Sequence, residues 1–124
     1  MQKDWKDILT KEEFIVCRKK GTEPAFSGSY DKFYEEGIYY CKCCETQLFN
    51  SKDKFNSGSG WPSYTEPSHE ENIKYITDDS YNMSRVEVQC SKCESHLGHV
   101  FNDGPKPKNK RYCINSLSLT FKKS

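Results

Sequence analysis

The chain of 124 residues predicts a mostly β, β-rich α+β fold, built as one domain and stapled by its cysteines. Three observations carry this reading. From Ile38 onward, β-branched and aromatic residues come in short runs, at 38–40, 73–76 and 85–89, separated by turn formers, which is the texture of strands. Ahead of them, residues 4–20 repeat their apolar positions with a helical period. Finally, hydrophobic residues make up only 34% against 30% charged, so the core is small and seven cysteines are available to reinforce it.

Taken in order, the domain divides into a helical segment, 1–20, and a β core, 21–124. Within the first, Trp5, Ile8, Leu9, Phe14, Ile15 and Val16 fall on one face, Thr10 is placed to cap a second turn through Glu13, and Gly21 ends the helix. Thr22 to Gly37 holds Pro24, Gly28 and four aromatics (Phe26, Tyr30, Phe33, Tyr34) without a period, and is expected to be an irregular wall packed by its rings. In the strand at 85–90, Val86, Val88 and Cys90 alternate with Arg85, Glu87 and Gln89, which predicts the valines inward. The last strand is read over 111–121, with Arg111, Cys113, Asn115, Leu117, Leu119 and Phe121 sharing one face and Cys113 turned with the core series. Lys106–Lys110, between prolines, reads as a mobile loop.

Cys41-x-x-Cys44 and Cys90-x-x-Cys93 are two knuckles of the spacing that presents a pair of thiolates to one tetrahedral ion. Four thiolates fill the shell of zinc and leave no open position, so a single structural Zn²⁺ joining two distant hairpins is expected. A redox dithiol or an iron–sulfur cluster is the alternative, and Cys43 competes with its neighbours as a ligand. An odd cysteine count and an amino end without an apolar stretch place the chain in a reducing cytoplasm. No apolar run reaches membrane-spanning length, and a net charge of +1 gives no footprint for nucleic acid or anionic lipid.

The remaining chemistry clusters after the second knuckle. His96 and His99 either bind backbone beside the clip or serve a site, and Asp103 is either an Asx-turn acid or a partner of His99 in a cleft shared with Cys113. A nucleophilic cysteine needs its thiolate, which a nearby cation favours. Arg111 and Asn115 beside Cys113 shift the reading from an inert core cysteine towards a reactive one.

These residues closely resemble the methionine sulfoxide reductase B family. The matching blocks are GTEPAFSG at 21–28, CKCC at 41–44, LFNSKDKFNSGSGWPSY at 48–64, RVEVQCSKC at 85–93, HLGHVFNDGP at 96–105 and RYCINSLSL at 111–119. The resemblance implies two small antiparallel sheets with amino-terminal helical segments, the zinc lying away from the chemistry. It implies reduction of the R epimer of methionine sulfoxide, in oxidised proteins or peptides or free, to methionine. Cys113 is then the nucleophile that becomes a sulfenic acid, and His99 the acid. His96, Asp103, Arg111 and Asn115 shape the polar side, and Trp61 and Phe101 make the apolar wall for the substrate methyl. Many members carry a cysteine at the position of Ser59, where it forms the disulfide that thioredoxin reduces. Here Cys17 and Cys43 remain as substitutes, with Cys17 expected because Cys43 is tied near the metal, and direct attack by thioredoxin or a similar thiol is the alternative. The chain is expected to act as a monomer. A zinc-ribbon interaction module, binding nucleic acid or protein, is the competing reading, and it leaves Arg111, Cys113 and Asn115 without a role.

Overall fold

A computed structural model describes residues 5–79 and 84–123. Two helices, α1 (Trp5–Ile8) and α2 (Lys11–Lys19), precede nine strands. These are β1 (Gly37–Cys41), β2 (Gln47–Asn50), β3 (Lys54–Phe55), β4 (Ser63–Tyr64), β5 (Ile73–Asp78), β6 (Arg85–Cys90), β7 (His96–Phe101), β8 (Arg111–Ile114) and β9 (Leu119–Lys123). The strands form two sheets, one ordered β2-β1-β9 and the other β3-β4-β8-β7-β6-β5, and all their pairings are antiparallel. Both the β-rich class and the two antiparallel sheets agree with the sequence reading. No helix among the described residues is long and apolar enough to cross a membrane.

One apolar cluster draws on both sheets. Tyr39, Leu48, Phe49 and Leu119 come from the smaller sheet, Tyr64, Val88, Leu97 and Ile114 from the larger, and all are buried. Phe49 stacks on Tyr64 with centroids 4.4 Å apart. Each such side chain contributes about 1.5–3 kcal/mol by leaving water.

The helical segment is two helices because Thr10 interrupts it. The Thr10 hydroxyl accepts the Glu13 N–H (3.1 Å), and the Glu13 carboxylate accepts the Thr10 N–H (2.9 Å), which closes a capping box and starts α2 afresh. The reset changes the buried face: α2 buries Val16 and Cys17, whereas Ile8 and Ile15, expected inward, are exposed. Position 4 and the Trp5 side chain lie outside the described residues. At the other end, Lys20 takes the left-handed conformation (φ 58°) and Gly21 donates its N–H to Ile15 O; a Cβ on Gly21 would meet the Ile15 side chain at 2.7 Å. In the irregular segment, Tyr30 and Phe33 pack as expected, but Phe26 and Tyr34 stay exposed.

Two further expectations are corrected. On β6, Val88 and Cys90 are buried as expected, but Glu87 and Gln89 are buried with them and Val86 is exposed; Glu87 has its partners, Gln89 and His96, inside. The long last strand is two strands. The Asn115 N–H and Nδ2 both donate to Leu97 O (2.8 and 3.0 Å), and the chain turns through Ser116–Ser118 in a 3-10 turn before entering the other sheet as β9. Consequently Tyr112 and Ile114 are the core series of β8, and Cys113 faces away from it.

The two cysteine knuckles have the same backbone. In the first, Cys41 O accepts the Glu45 N–H (2.9 Å) with Glu45 at φ 62°; in the second, Cys90 O accepts the Glu94 N–H (2.8 Å) with Glu94 at φ 62°. One turn ends β1 and the other ends β6, so the thiols come from different sheets. All four sulfurs lie within 4.8 Å of one another, with Cys41–Cys93 and Cys44–Cys90 at 3.6 Å. A tetrahedral ion with sulfur ligands 2.3 Å away requires neighbouring sulfurs roughly 3.8 Å apart, so the donor set fits a metal ion.

Thr10→Ala removes the cap of α2 and should cost about 1 kcal/mol, seen as a lower urea midpoint with unchanged slope. An unchanged midpoint would show that α2 is held by packing alone.

Candidate active site

Strands β7 and β8 run antiparallel with His99 opposite Cys113 and Phe101 opposite Arg111. Residues directly opposite project to the same side of a sheet, so these four side chains form a two-by-two patch. The strands can close this tightly because position 98 is glycine: a Cβ there would meet Cys113 O at 2.0 Å. β4 flanks β8 on the other side, with Ser63 opposite Cys113, and the loop before it brings Ser59 and Trp61 over the patch.

The result is a cavity of about 280 Å³ around Cys113. Trp61 and Phe101 form its apolar lining; His99, Arg111 and Asn115 its polar one; Thr22 and Arg85 complete the rim. Each wall is fixed from behind. Trp61 Nε1 donates to Glu23 O (2.9 Å), and the Glu23 N–H donates to Asn115 Oδ1 (3.0 Å). The buried Glu23 carboxylate accepts the Leu117 N–H (2.9 Å), and burial raises its pKa. The GTEPAFSG segment is therefore a strap that joins the tryptophan to the strand carrying the cysteine. Gly28 makes room for it, since a Cβ there would lie 2.2 Å from both Glu23 Oε2 and Ser116 Oγ.

Arg111 lies over Phe101, its Cζ 4.4 Å from the ring centroid, and makes a two-point bond to Asp103 at 2.9 and 3.2 Å. That pairing holds the Asp103 carboxyl below its usual value and raises the Arg111 pKa. Asp103 is exposed and does not line the cavity, so it reaches the site only through Arg111. The carboxylate on His99 is instead Asp78, whose Oδ2 is 2.8 Å from His99 Nε2 and also accepts from Arg85 Nη2 at 3.2 Å. His96 does not line the cavity either. It is buried beneath His99 (ring centroids 5.7 Å apart), with Nδ1 2.7 Å from Glu87 Oε2. Burial lowers the His96 pKa against the pull of Glu87. Burial opposes ionisation of Glu87 itself, but bonds from Gln89 and His96 outweigh it and bring its pKa below the usual value.

At Cys113, burial pushes the thiol pKa up, and Ser59 and Arg111 oppose that rise without cancelling it. The Arg111 effect expected from sequence is present, but desolvation is larger.

A SelR domain model matches residues 9–123. Proteins named peptide methionine sulfoxide reductase MsrB are similar over nearly the whole chain. The one from Pseudomonas aeruginosa (strain UCBPP-PA14) is 54% identical over 115 residues, covering 93% of this chain and 87% of that protein. That of Thioalkalivibrio sulfidiphilus is 53% identical over 94% of this chain and 85% of its own, and that of Methanosarcina mazei 52% over 98% and 87%. This chain belongs to the methionine sulfoxide reductase B family.

At Ser59, where the family resemblance implies a second thiol in many members, this chain has a hydroxyl: Ser59 Oγ lies 3.9 Å from Cys113 Sγ, in a chain of hydroxyls with Ser57 and Ser63. Cys17 is not in the cavity. It is buried in the core beside Cys43, with Sγ 3.7 Å from Leu117 O and 3.9 Å from Ser118 Oγ. The bond with Cys43 and burial both raise its pKa.

Sequence reasoning missed Thr22, Glu23, Asp78 and Arg85. A pairing of the strands around 73–78 and 85–90 would have signalled the last two, since Asp78 and Arg85 are opposite one another in the ladder.

Because the Cys113 pKa is raised, thiolate forms later as pH rises. Its iodoacetamide alkylation rate, followed by peptide mass spectrometry, should climb through an apparent pKa above the free-cysteine value of about 8.5. Arg111→Met should move that midpoint higher still; a midpoint below 8 would contradict the burial argument.

Proposed function

We propose that the chain reduces methionine-R-sulfoxide in peptides and proteins, and as the free amino acid, to methionine. The observation that supports this best is a single reactive-type thiol set between an aromatic wall and a row of donors. A methyl sulfoxide has the same two halves: an apolar methyl suited to Trp61 and Phe101, and an oxygen suited to His99, Arg111 and Asn115.

The Cys113 thiolate attacks the sulfoxide sulfur, and His99 supplies a proton to the oxygen. The oxygen passes to Cys113, leaving a sulfenic acid. The cysteine sulfur loses two electrons and the methionine sulfur gains them. Arg111, held in place by Asp103 and Phe101, favours the thiolate and orients the oxygen. His96 supports the His99 side from below.

Regeneration of the thiol needs two further electrons from thioredoxin or a similar dithiol. Ser59 cannot supply them. Cys17 packs on Leu117 and Ser118, just beyond β8, so unpacking of α2 would bring it towards Cys113 to form a disulfide for thioredoxin. The other route is direct attack by the reductant on the sulfenic acid. The clip formed by Cys41, Cys44, Cys90 and Cys93 holds zinc, which has a structural role because the protein fills its shell. Seven unpaired thiols suit a reducing cytoplasm, and the protein works as a monomer.

Cys113→Ser should abolish reduction of R-sulfoxide with dithiothreitol as reductant while retaining one zinc per chain by atomic emission. Retained activity would end the proposal. Cys17→Ser should leave the first turnover, read as one methionine per chain, intact and slow thioredoxin-driven cycling at least tenfold, roughly the penalty of losing a positioned intramolecular thiol. Unchanged cycling would assign regeneration to direct attack.

A further inference from the structure

We infer that Asp78 is a positioning residue for the acid of the reaction, fixing which ring nitrogen of His99 keeps its hydrogen. The inference rests on the proposed sulfoxide reduction for its catalytic meaning, but the geometry stands by itself. Asp78 ends β5, Arg85 opens β6, and the two are register partners in the ladder. Arg85 Nη2 and His99 Nε2 approach the same carboxylate oxygen, Oδ2, at 3.2 and 2.8 Å. The Asp78 side chain is 21% exposed and that of His99 13%, so water competes weakly for this bond.

A histidine with one nitrogen held by a carboxylate carries its hydrogen there and exchanges protons at the other. With Nε2 donating to Asp78, Nδ1 is the nitrogen left for the sulfoxide oxygen. The imidazolium gives up its Nδ1 hydrogen, and the neutral ring retains the Nε2 hydrogen on Asp78. Without the carboxylate, the neutral ring can hold its hydrogen on Nδ1, and its basic nitrogen then faces the wrong way to accept the next proton. The other charged groups around His99 do not take this place. Glu87, its register partner on β6, is occupied by His96, Gln89 and Lys20, and Arg111 on β8 is occupied by Asp103.

Long-range ¹H–¹⁵N spectra of ¹⁵N-histidine-labelled protein, recorded about two pH units above the ordinary histidine value, read the tautomer directly. His99→Asn identifies the His99 signals among the three histidines. The wild type should show His99 with hydrogen on Nε2. Asp78→Ala should shift it towards a mixture and lower kcat roughly tenfold or more, with KM within about twofold. Asp78→Asn, which keeps an acceptor oxygen in place, should hold the tautomer and restore part of kcat. An Nδ1–H tautomer in the wild type, or an Asp78→Ala protein with unchanged spectrum or unchanged kcat, overturns the inference. The spectrum needs no turnover, so failure to reduce sulfoxide would defeat the function while leaving the tautomer assignment separately decided.

Discussion

Four sulfurs from two separate turns meet at one point between the sheets of this fold. The knuckle at the end of β1 belongs to the small sheet and the knuckle at the end of β6 to the large one, so an ion held by the four sulfurs would join the sheets. Apolar burial holds the same two layers together through Tyr39, Phe49, Tyr64 and Ile114, but that attraction has no direction. The sulfurs add direction. They fix where β6 ends, and β7 follows immediately with His96 and His99. A chain with this little hydrophobic material would gain from a metal cross-link whose geometry is as demanding as a tetrahedron.

The second organising feature is the passage from β8 to β9, where the chain leaves one sheet for the other. Asn115 sits at that corner with both ends of its amide engaged, one by Leu97 and one by the strap at Glu23. Cys113 lies two residues earlier. Cys113 therefore stands on the last straight piece of a strand whose end is pinned from two directions, while the aromatic wall is tied to the same strap through Trp61. Pocket and corner are a single construction, tied together by a loop far away in sequence, at 21–28.

Much of this was readable before any coordinates. The knuckle spacing, the capping box at Thr10 and the strand runs each follow from local chemistry, and each is where the residues put it. The failures have a common cause. Period-two reasoning assumes a straight strand with one wet face. β6 carries its buried polar residues, Glu87 and Gln89, on the side expected to be wet, and the run after Arg111 bends at Asn115, so alternation assigned Cys113 to the core when its neighbours Tyr112 and Ile114 occupy it. Asp78 escaped because nothing local distinguishes it. Its meaning comes only from the ladder that sets it beside Arg85 and within reach of His99.

Gly98 brings these threads together in one missing atom. β7 and β8 approach so closely at this point that the space a methyl group would fill belongs to the carbonyl of Cys113. Position 98 thus acts as a gauge block between the strand of His99 and the strand of Cys113. A side chain there would be accommodated by spreading the two strands, and the sheet could survive such a spread through its other pairings. The spacing between His99 and Cys113 could not, so the residue with no side chain sets the tolerance of the two side chains that face each other across the ladder.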